Sequence, residues 1–197
     1  MTVDQITDIL KSKTVGIAGC GGLGSNCAIA LARVGVGRLV IADFDVVTVS
    51  NLNRQYYFSD QVGVIKTQAL SANIQRVNPA VIVNMYDEKL TPETIPLVFN
   101  GCDVVVEAFD LADQKQMIIE TVLTEMPDIH LVVGLGMAGW GMNEAIHFRK
   151  EGTLYICGDE IAEIGPDLPP LAPRVGMVAN MQANVVLEIL LNSEIAK

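Results

Sequence analysis

Apolar positions along this chain alternate between two spacings. Strands are predicted at Thr14–Ala18, Leu39–Ala42, Val81–Met85, Asp103–Ala108 and Ile129–Val133, of which Leu39–Ala42 is a continuous apolar run of the kind buried on both faces of a sheet. Between them the apolar residues recur at helical spacing. Residues 3–12 carry Val3, Ile6, Ile9 and Leu10, and Leu23–Val34 carries Cys27, Ala28, Ala30, Leu31 and Val34 before Gly35 and Gly37 end it. Further helices are predicted at Lys66–Val77, stopped by Asn78-Pro79, at 91–100, opened by Thr91-Pro92, and at Ala112–Glu125. Residues 144–157 read as two short strands joined through Lys150-Glu-Gly152, residues 158–173 as a long glycine- and proline-rich connection, and the stretch from Pro173 to about Leu191 as a closing helix apolar on much of its circumference. Strand and helix in regular alternation predict an α/β fold: a Rossmann-like, mostly parallel sheet with helices on both faces and a short antiparallel extension.

The first strand breaks into glycines. Gly19, Gly21 and Gly24 have the spacing G-x-G-x-x-G, which lets the backbone turn sharply, approach a phosphate with no side chain in the way, and open a helix packed close to the sheet. The free N–H groups and positive dipole end of that helix favour an anion. Gly22 is an extra glycine, unusual for a dinucleotide site. The second strand closes in Asp43-Phe-Asp45 and the fourth delivers Asp110. Ligands of open parallel sheets sit beyond the carboxyl ends of the strands, so Asp43, Asp110 and the glycine turn are expected to share one crevice.

Composition narrows the partners. With 197 residues and 50% hydrophobic content, the chain suits one domain, 1–197, with a substantial core. A net charge of −10 disfavours nucleic acid and anionic membranes, so any phosphate site must gather its cations locally. No basic, then apolar leader opens the sequence and no uninterrupted apolar run reaches a membrane span, which places the chain in the cytoplasm as an expectation. Cys20, Cys27, Cys102 and Cys157 include no C-x-x-C pair and read as buried small hydrophobes. His130 and His147 sit in strands and read as structural; Met177 and Met181, spaced i and i+4, read as core. Glu107 is expected at the crevice entrance as a second acid, Asp110 as the cap of the following helix as well as a ligand, and Arg174 is left open between a crevice role and a structural contact.

Gly19-Cys-Gly-Gly-Leu-Gly24, Asp43-Phe-Asp45, Ser50-Asn-Leu-Asn-Arg-Gln55, Lys66 in a Val-Gly-x-x-Lys setting, Glu107-Ala-Phe-Asp110 and Ala172-Pro-Arg-Val-Gly176 follow one another in an order that resembles the ThiF/MoeB/ubiquitin-activating superfamily. These enzymes adenylate the C-terminal glycine of ubiquitin-like and sulfur-carrier proteins, and the short length is similar to a compact ThiF-type subgroup linked to thiamine biosynthesis. The resemblance implies ATP and Mg²⁺ as cofactors, a small ubiquitin-like sulfur carrier with a Gly-Gly tail (ThiS-like) as partner, and a homodimer. It also implies that the turn through Gly22 cradles the nucleotide, that Asp43 accepts from the ribose, that Asn51 and Arg54 hold the triphosphate, that Lys66 neutralises the α-phosphate and that Asp110 holds the metal. Arg54, Lys66 and Asp110 are then the catalytic set.

Departures from the family pattern qualify this. The two C-x-x-C pairs that hold a structural zinc in many relatives are missing, so no zinc is expected. Only Lys11 and Lys13 precede Gly19, where several relatives carry an arginine that crosses a dimer interface. Leu111 replaces an asparagine after Asp110, and Cys157 is the sole candidate for a sulfur-carrying thiol. Three alternatives stay open: a module that binds nucleotide or carrier without turnover, a different carrier (molybdopterin or tRNA thiolation), and NAD binding, which leaves Arg54, Lys66 and Asp110 without a task.

Overall fold

The structure, a computed structural model, describes residues 1–195. Its strands are β1 (Thr14–Ala18), β2 (Arg38–Ala42), β3 (Ile82–Tyr86), β4 (Val104–Glu107), β5 (His130–Leu135), β6 (His147–Glu151) and β7 (Leu154–Gly158), and its helices α1 (Val3–Leu10), α2 (Gly22–Val34), α3 (Lys66–Val77), α4 (Ile95–Val98), α5 (Ala112–Glu125) and α6 (Ala172–Ile195). The strands form one sheet in the order β3-β2-β1-β4-β5-β7-β6. All neighbours are parallel except β6, which runs antiparallel to β7. The antiparallel extension is therefore β6 alone. Apolar Leu-Tyr-Ile-Cys of β7 joins β5 in the parallel sheet, whereas all five residues of β6 are exposed on the edge.

Alternation along each strand sorts the core into two layers. Val15, Ile17, Leu39, Ile41, Val104 and Val106 face α1, α2, α3 and α6 on one side. Ala18, Val40, Ala42 and Val105 face α4 and α5 on the other, where Ile95, Val98, Phe99, Ile118 and Val122 pack. Gly16 belongs to that second face because a Cβ there would lie 2.5 Å from the Phe99 ring. The segment 91–100 is shorter as a helix than its composition predicts. Thr91 and Thr94 bond each other's backbone and hydroxyl groups in a turn, leaving one helical turn at Ile95–Val98. Helix α6 over Ala172–Asn192 is long and apolar enough by composition to cross a bilayer. Here Val178, Ala179, Val186 and Leu190 are in the core, packed on α2 and the sheet, while Met177, expected inside, is 42% exposed.

The order 3-2-1-4-5 puts a topological switch between β1 and β4, whose connections leave in opposite directions. Under the crevice so formed lies a buried ion pair. Glu107, at the end of β4, is fully buried, which corrects the expectation of an acid at the entrance. Lys115 of α5 donates to both of its carboxylate oxygens (3.0 and 2.9 Å) and to Gly134 O (2.9 Å). The Phe109 N–H adds a further bond at 2.6 Å. Burial raises the Glu107 pKa, and Lys115 with these N–H donors opposes that rise. Removing one partner of such a pair strands the other. Lys115→Met is expected to cost about 3–5 kcal/mol of unfolding free energy, measured by urea denaturation; a loss under about 1 kcal/mol, the range of a surface pair, would disprove the pair's structural role.

Candidate functional site

The glycine turn is bound to two separate segments, the end of β2 with Asp43 and the loop that carries Tyr57. Gly19 N–H donates to Ala42 O (2.8 Å) and Cys20 N–H to the Asp43 carboxylate (2.7 Å), while Cys20 O accepts from the Tyr57 hydroxyl (2.7 Å). Gly19 has φ +95°, and a Cβ there would meet the Ala108 carbonyl at 2.8 Å. A Cβ on Gly24 would stand 1.8 Å from Gly19 O, so Gly24 serves the close packing of α2 on the turn and does not line the cleft.

Above the turn opens a cleft, partly open to solvent, that encloses about 950 Å³ of empty space. Gly19, Gly21, Gly22, Asp43, Arg54, Lys66 and Asp110 all line it. Asp43 is 9% exposed, and its second oxygen accepts from Asp45 N–H at 2.8 Å. Burial raises its carboxyl above the usual range, and Lys66 with the two N–H donors works against that. Lys66 opens α3; its Nζ is 2.6 Å from Asp45 and 3.8 Å from Asp43. The Arg54 guanidinium donates to Ser50 O (3.0 Å) and Asn53 Oδ1 (2.8 Å), and its stem runs beside Gly22. Lys89, Glu88 and Asp45 also line the walls, so cations and acids face one another across the space.

Asn51 Oδ1 accepts from Thr48 N–H at 3.0 Å and caps the 3-10 turn Val49–Asn51, which holds the segment that carries Arg54. One expectation is corrected here. Asp110 does not cap α5. That helix begins one residue later, after Leu111, and has no side-chain cap, which leaves the Asp110 carboxylate exposed on the cleft wall. Among the described residues no three His, Cys, Asp or Glu side chains are grouped as a metal site. All four cysteines are buried; burial pushes the Cys157 thiol up to about 12, so it is no ready nucleophile. His130 stacks edge-on against Tyr155, and His147 bonds Ala145 O and Glu160.

Asp45, Tyr57 and Asp159 were not singled out from the sequence. Asp45 stood in a quoted motif, but nothing in its spacing showed it would meet Lys66. Tyr57 and Asp159 depend on contacts across the chain. Asp159 also resolves Arg174, which is structural: its guanidinium bonds the Asp159 carboxylate and the Gly141 and Met142 carbonyls. Asp159 in turn accepts from Ile161 N–H (2.8 Å) and Ala162 N–H (2.7 Å). This buried latch pins the connection 159–171, whose Ile164 and Pro170 roof the cleft.

Comparison with known proteins follows the same lines. The sequence matches the ThiF family over residues 2–197. The chain belongs to the ThiF family. It is 32% identical over 199 residues to the adenylyltransferase and sulfurtransferase MOCS3 of Dictyostelium discoideum, across 94% of this chain and 44% of that protein. A second relative, the tRNA threonylcarbamoyladenosine dehydratase of Haemophilus influenzae, is 36% identical over 112 residues, 56% of this chain and 43% of that protein. The chain thus spans less than half the length of these curated relatives. Among solved structures, the ATP complex of the Escherichia coli tRNA N6-threonylcarbamoyladenosine dehydratase TcdA superposes with a TM-score of 0.88 at 20% identity, covering 98% of this chain and 92% of that one. Escherichia coli MccB with ATP gives 0.72 at 21%, over 94% and 57%. These likenesses establish the ThiF-type fold.

The latch yields a test with a defined sign. Burial raises the Asp159 pKa, but the Ala162 and Ile161 N–H groups and Arg174 more than offset this and hold it below the usual range. Its contribution is therefore present above the ordinary aspartate pKa near 4 and lost as pH falls through the depressed folded value. Arg174→Met is expected to free the connection 159–171 at neutral pH, removing about 3 kcal/mol from its opening free energy. Hydrogen exchange at the Ile161 and Ala162 amides reads it, and unchanged protection in the variant would show that Arg174 holds nothing.

Proposed function

We propose that this ThiF-family chain adenylates a carboxylate with ATP, and that the carboxylate is the C-terminal glycine of a small ubiquitin-like carrier protein. The observation that carries the reading is the meeting of Gly21, Gly22, Arg54, Lys66 and Asp110 on the walls of one cleft at the strand switch point. The names of the MOCS3 relative and of the ATP-bound neighbours agree with it. A homodimer and a thiamine-linked carrier belong to the same proposal. The relatives named above are described by other roles, so the carrier's class is the firmer part of the reading.

A carboxylate oxygen attacks the α-phosphorus of ATP, the bond to the β-phosphate oxygen breaks, and pyrophosphate departs. Two anions must approach and charge builds on the phosphoryl oxygens, so the site has to supply donors and cations already in place. The glycine turn offers backbone N–H groups at the start of α2, and Asp43 keeps one lone pair on each oxygen for the ribose. Arg54 offers its remaining N–H groups to the triphosphate. Lys66 leaves Asp45 for the α-phosphate, a cheap exchange because Asp45 is half exposed and water takes over its carboxylate. Mg²⁺ keeps several waters and binds through one or two carboxylates plus substrate phosphates, so Asp110 with the triphosphate fits it. When bound, it supplies neutralising charge to the phosphate oxygens.

Carrier-dependent exchange of labelled pyrophosphate into ATP is the direct measurement. Lys66→Ala and Asp110→Ala are each expected to lower it by roughly 10²–10³-fold with the circular dichroism spectrum intact. Exchange retained in either variant removes that residue from the chemistry. ATP binding by the wild type without exchange, for every Gly-Gly-tailed carrier tried, favours a binding module; tighter binding of NAD than of ATP sinks the proposal.

A further inference from the structure

The connection that roofs the cleft is anchored at its first two residues by cations from different elements. Asp159 pairs with Arg174 of α6, whereas Glu160 reaches β6. Glu160 has φ +58°, a left-handed conformation that a residue with a Cβ keeps only where its surroundings hold it. Arg149 supplies part of that hold, donating from Nε (3.2 Å) and Nη2 (2.7 Å) to the two Glu160 oxygens. His147 supplies the rest: its Nε2 lies 3.0 Å from Glu160 Oε1, and its Nδ1 lies 2.8 Å from Ala145 O. A carboxylate and a carbonyl are both acceptors, and a neutral imidazole has one N–H to give. Only the imidazolium form donates to both partners at once.

The other groups around the ring leave that choice to the proton. Glu160 and Arg149 are the charged groups that act on it, the acid favouring its charge and the arginine opposing it. Glu151, two residues along β6, pairs with Arg149, Lys150 lies over the Tyr155 ring, and Gly158 and Ile156 of β7, opposite His147 and Arg149, carry no charge. The His147 side chain is 49% exposed, so water reaches it in either form.

We infer that His147, Arg149 and Glu160 form a proton-operated catch on the roof of the cleft: an imidazolium at His147 fastens the connection 159–171 to β6, and a neutral ring loosens it. Ile164 and Pro170 of that connection line the cleft, so a proton bound outside the cleft governs how readily it opens. Arg149 keeps Glu160 near β6 in both states; the histidine sets how firmly. The Asp159 carboxyl, held below the usual range, stays charged through neutrality, which separates the two anchors in pH. The inference holds whichever ligand the cleft takes.

The sign follows from the bonds. The bond to Ala145 O, then that to Glu160, raises the His147 pKa above its ordinary value near 6.5. The extra hold is therefore complete below that ordinary value and lost as pH rises through the raised folded one. Two measurements on the full chain test this: an NMR titration of the His147 ring, and hydrogen exchange at the Glu160, Ile161 and Ala162 amides, corrected for intrinsic rates. His147 is expected to titrate above the ordinary value, and protection to fall roughly two- to fivefold between about pH 5.5 and about pH 8.5, the range of a partly exposed ion pair. His147→Gln is expected to hold the lower protection at both pH values. Protection in the wild type that does not change with pH, or a His147 titration at or below the ordinary value, overturns the inference. A fall that persists undiminished in His147→Gln assigns the switch to another group and also overturns it. Glu160→Gln, expected to return the His147 titration toward its ordinary value and to abolish the pH dependence, stands in should His147→Gln not fold, and failure of both to fold counts against the inference.

Discussion

The glycine turn after β1 is where the constraints of this fold meet. Gly19 must pass within contact of the Ala108 backbone while Gly24 brings α2 down onto the Gly19 carbonyl, and neither approach tolerates a Cβ. The turn keeps that shape because its polar groups are bound outside it: to the end of β2, to the Asp43 side chain and to the Tyr57 hydroxyl. Asp43 thereby does structural work before any ligand arrives. The segment 43–66 returns the favour, since Lys66 N–H donates to Asp45 O (2.9 Å) and Tyr57 ties the turn to the region opening α3. The cleft is in this sense assembled by backbone hydrogen bonds, with the charged side chains added to its rim.

Charge is handled economically in a chain of net −10. Three cations reach the cleft, and two of them have weakly committed partners within the protein: Lys66 with half-exposed Asp45, Arg54 with a carbonyl and an amide. Such pairs keep the side chains placed and give way to a ligand anion at small cost, because water can take over what is released. The buried pairs are of another kind. Glu107 with Lys115 below the floor and Asp159 with Arg174 beside the roof are surrounded by further N–H donors or carbonyls, and neither partner can leave without stranding the other. The exchangeable ions line the space while the fixed ones hold its floor and cover.

The sequence conveyed the fold through patterns that are local and physical. The apolar runs predicted as β1, β2, β4 and β5 survive into the strands almost unshifted, because a strand buried on both faces has few polar positions to spare, whereas β3 lies at the sheet edge with Ile82 and Met85 exposed. Motif residues were legible as far as their chemistry is carried by the backbone nearby, as with Gly19, Gly22 and Asp43. Less legible were residues whose part depends on a partner distant in the chain. Glu107 reads as one more acid at a strand end, yet Lys115 eight positions on turns it inward. Arg174 takes its structural part from Asp159, fifteen positions earlier, and Met177 has the spacing of a core residue yet sits on a partly exposed face.

By itself the sequence determined the strand and helix order, the site of the glycine turn and the membership of the chain in a family, since periodicity and steric permission for tight turns are properties of neighbouring residues. Only the tertiary structure decided that β7 continues the parallel sheet and β6 alone reverses, that Asn51 serves a turn, and that Asp45 pairs with Lys66. These depend on which groups find one another once two layers of helices have closed on the sheet, and burial, not spacing, sets the energy of each such meeting.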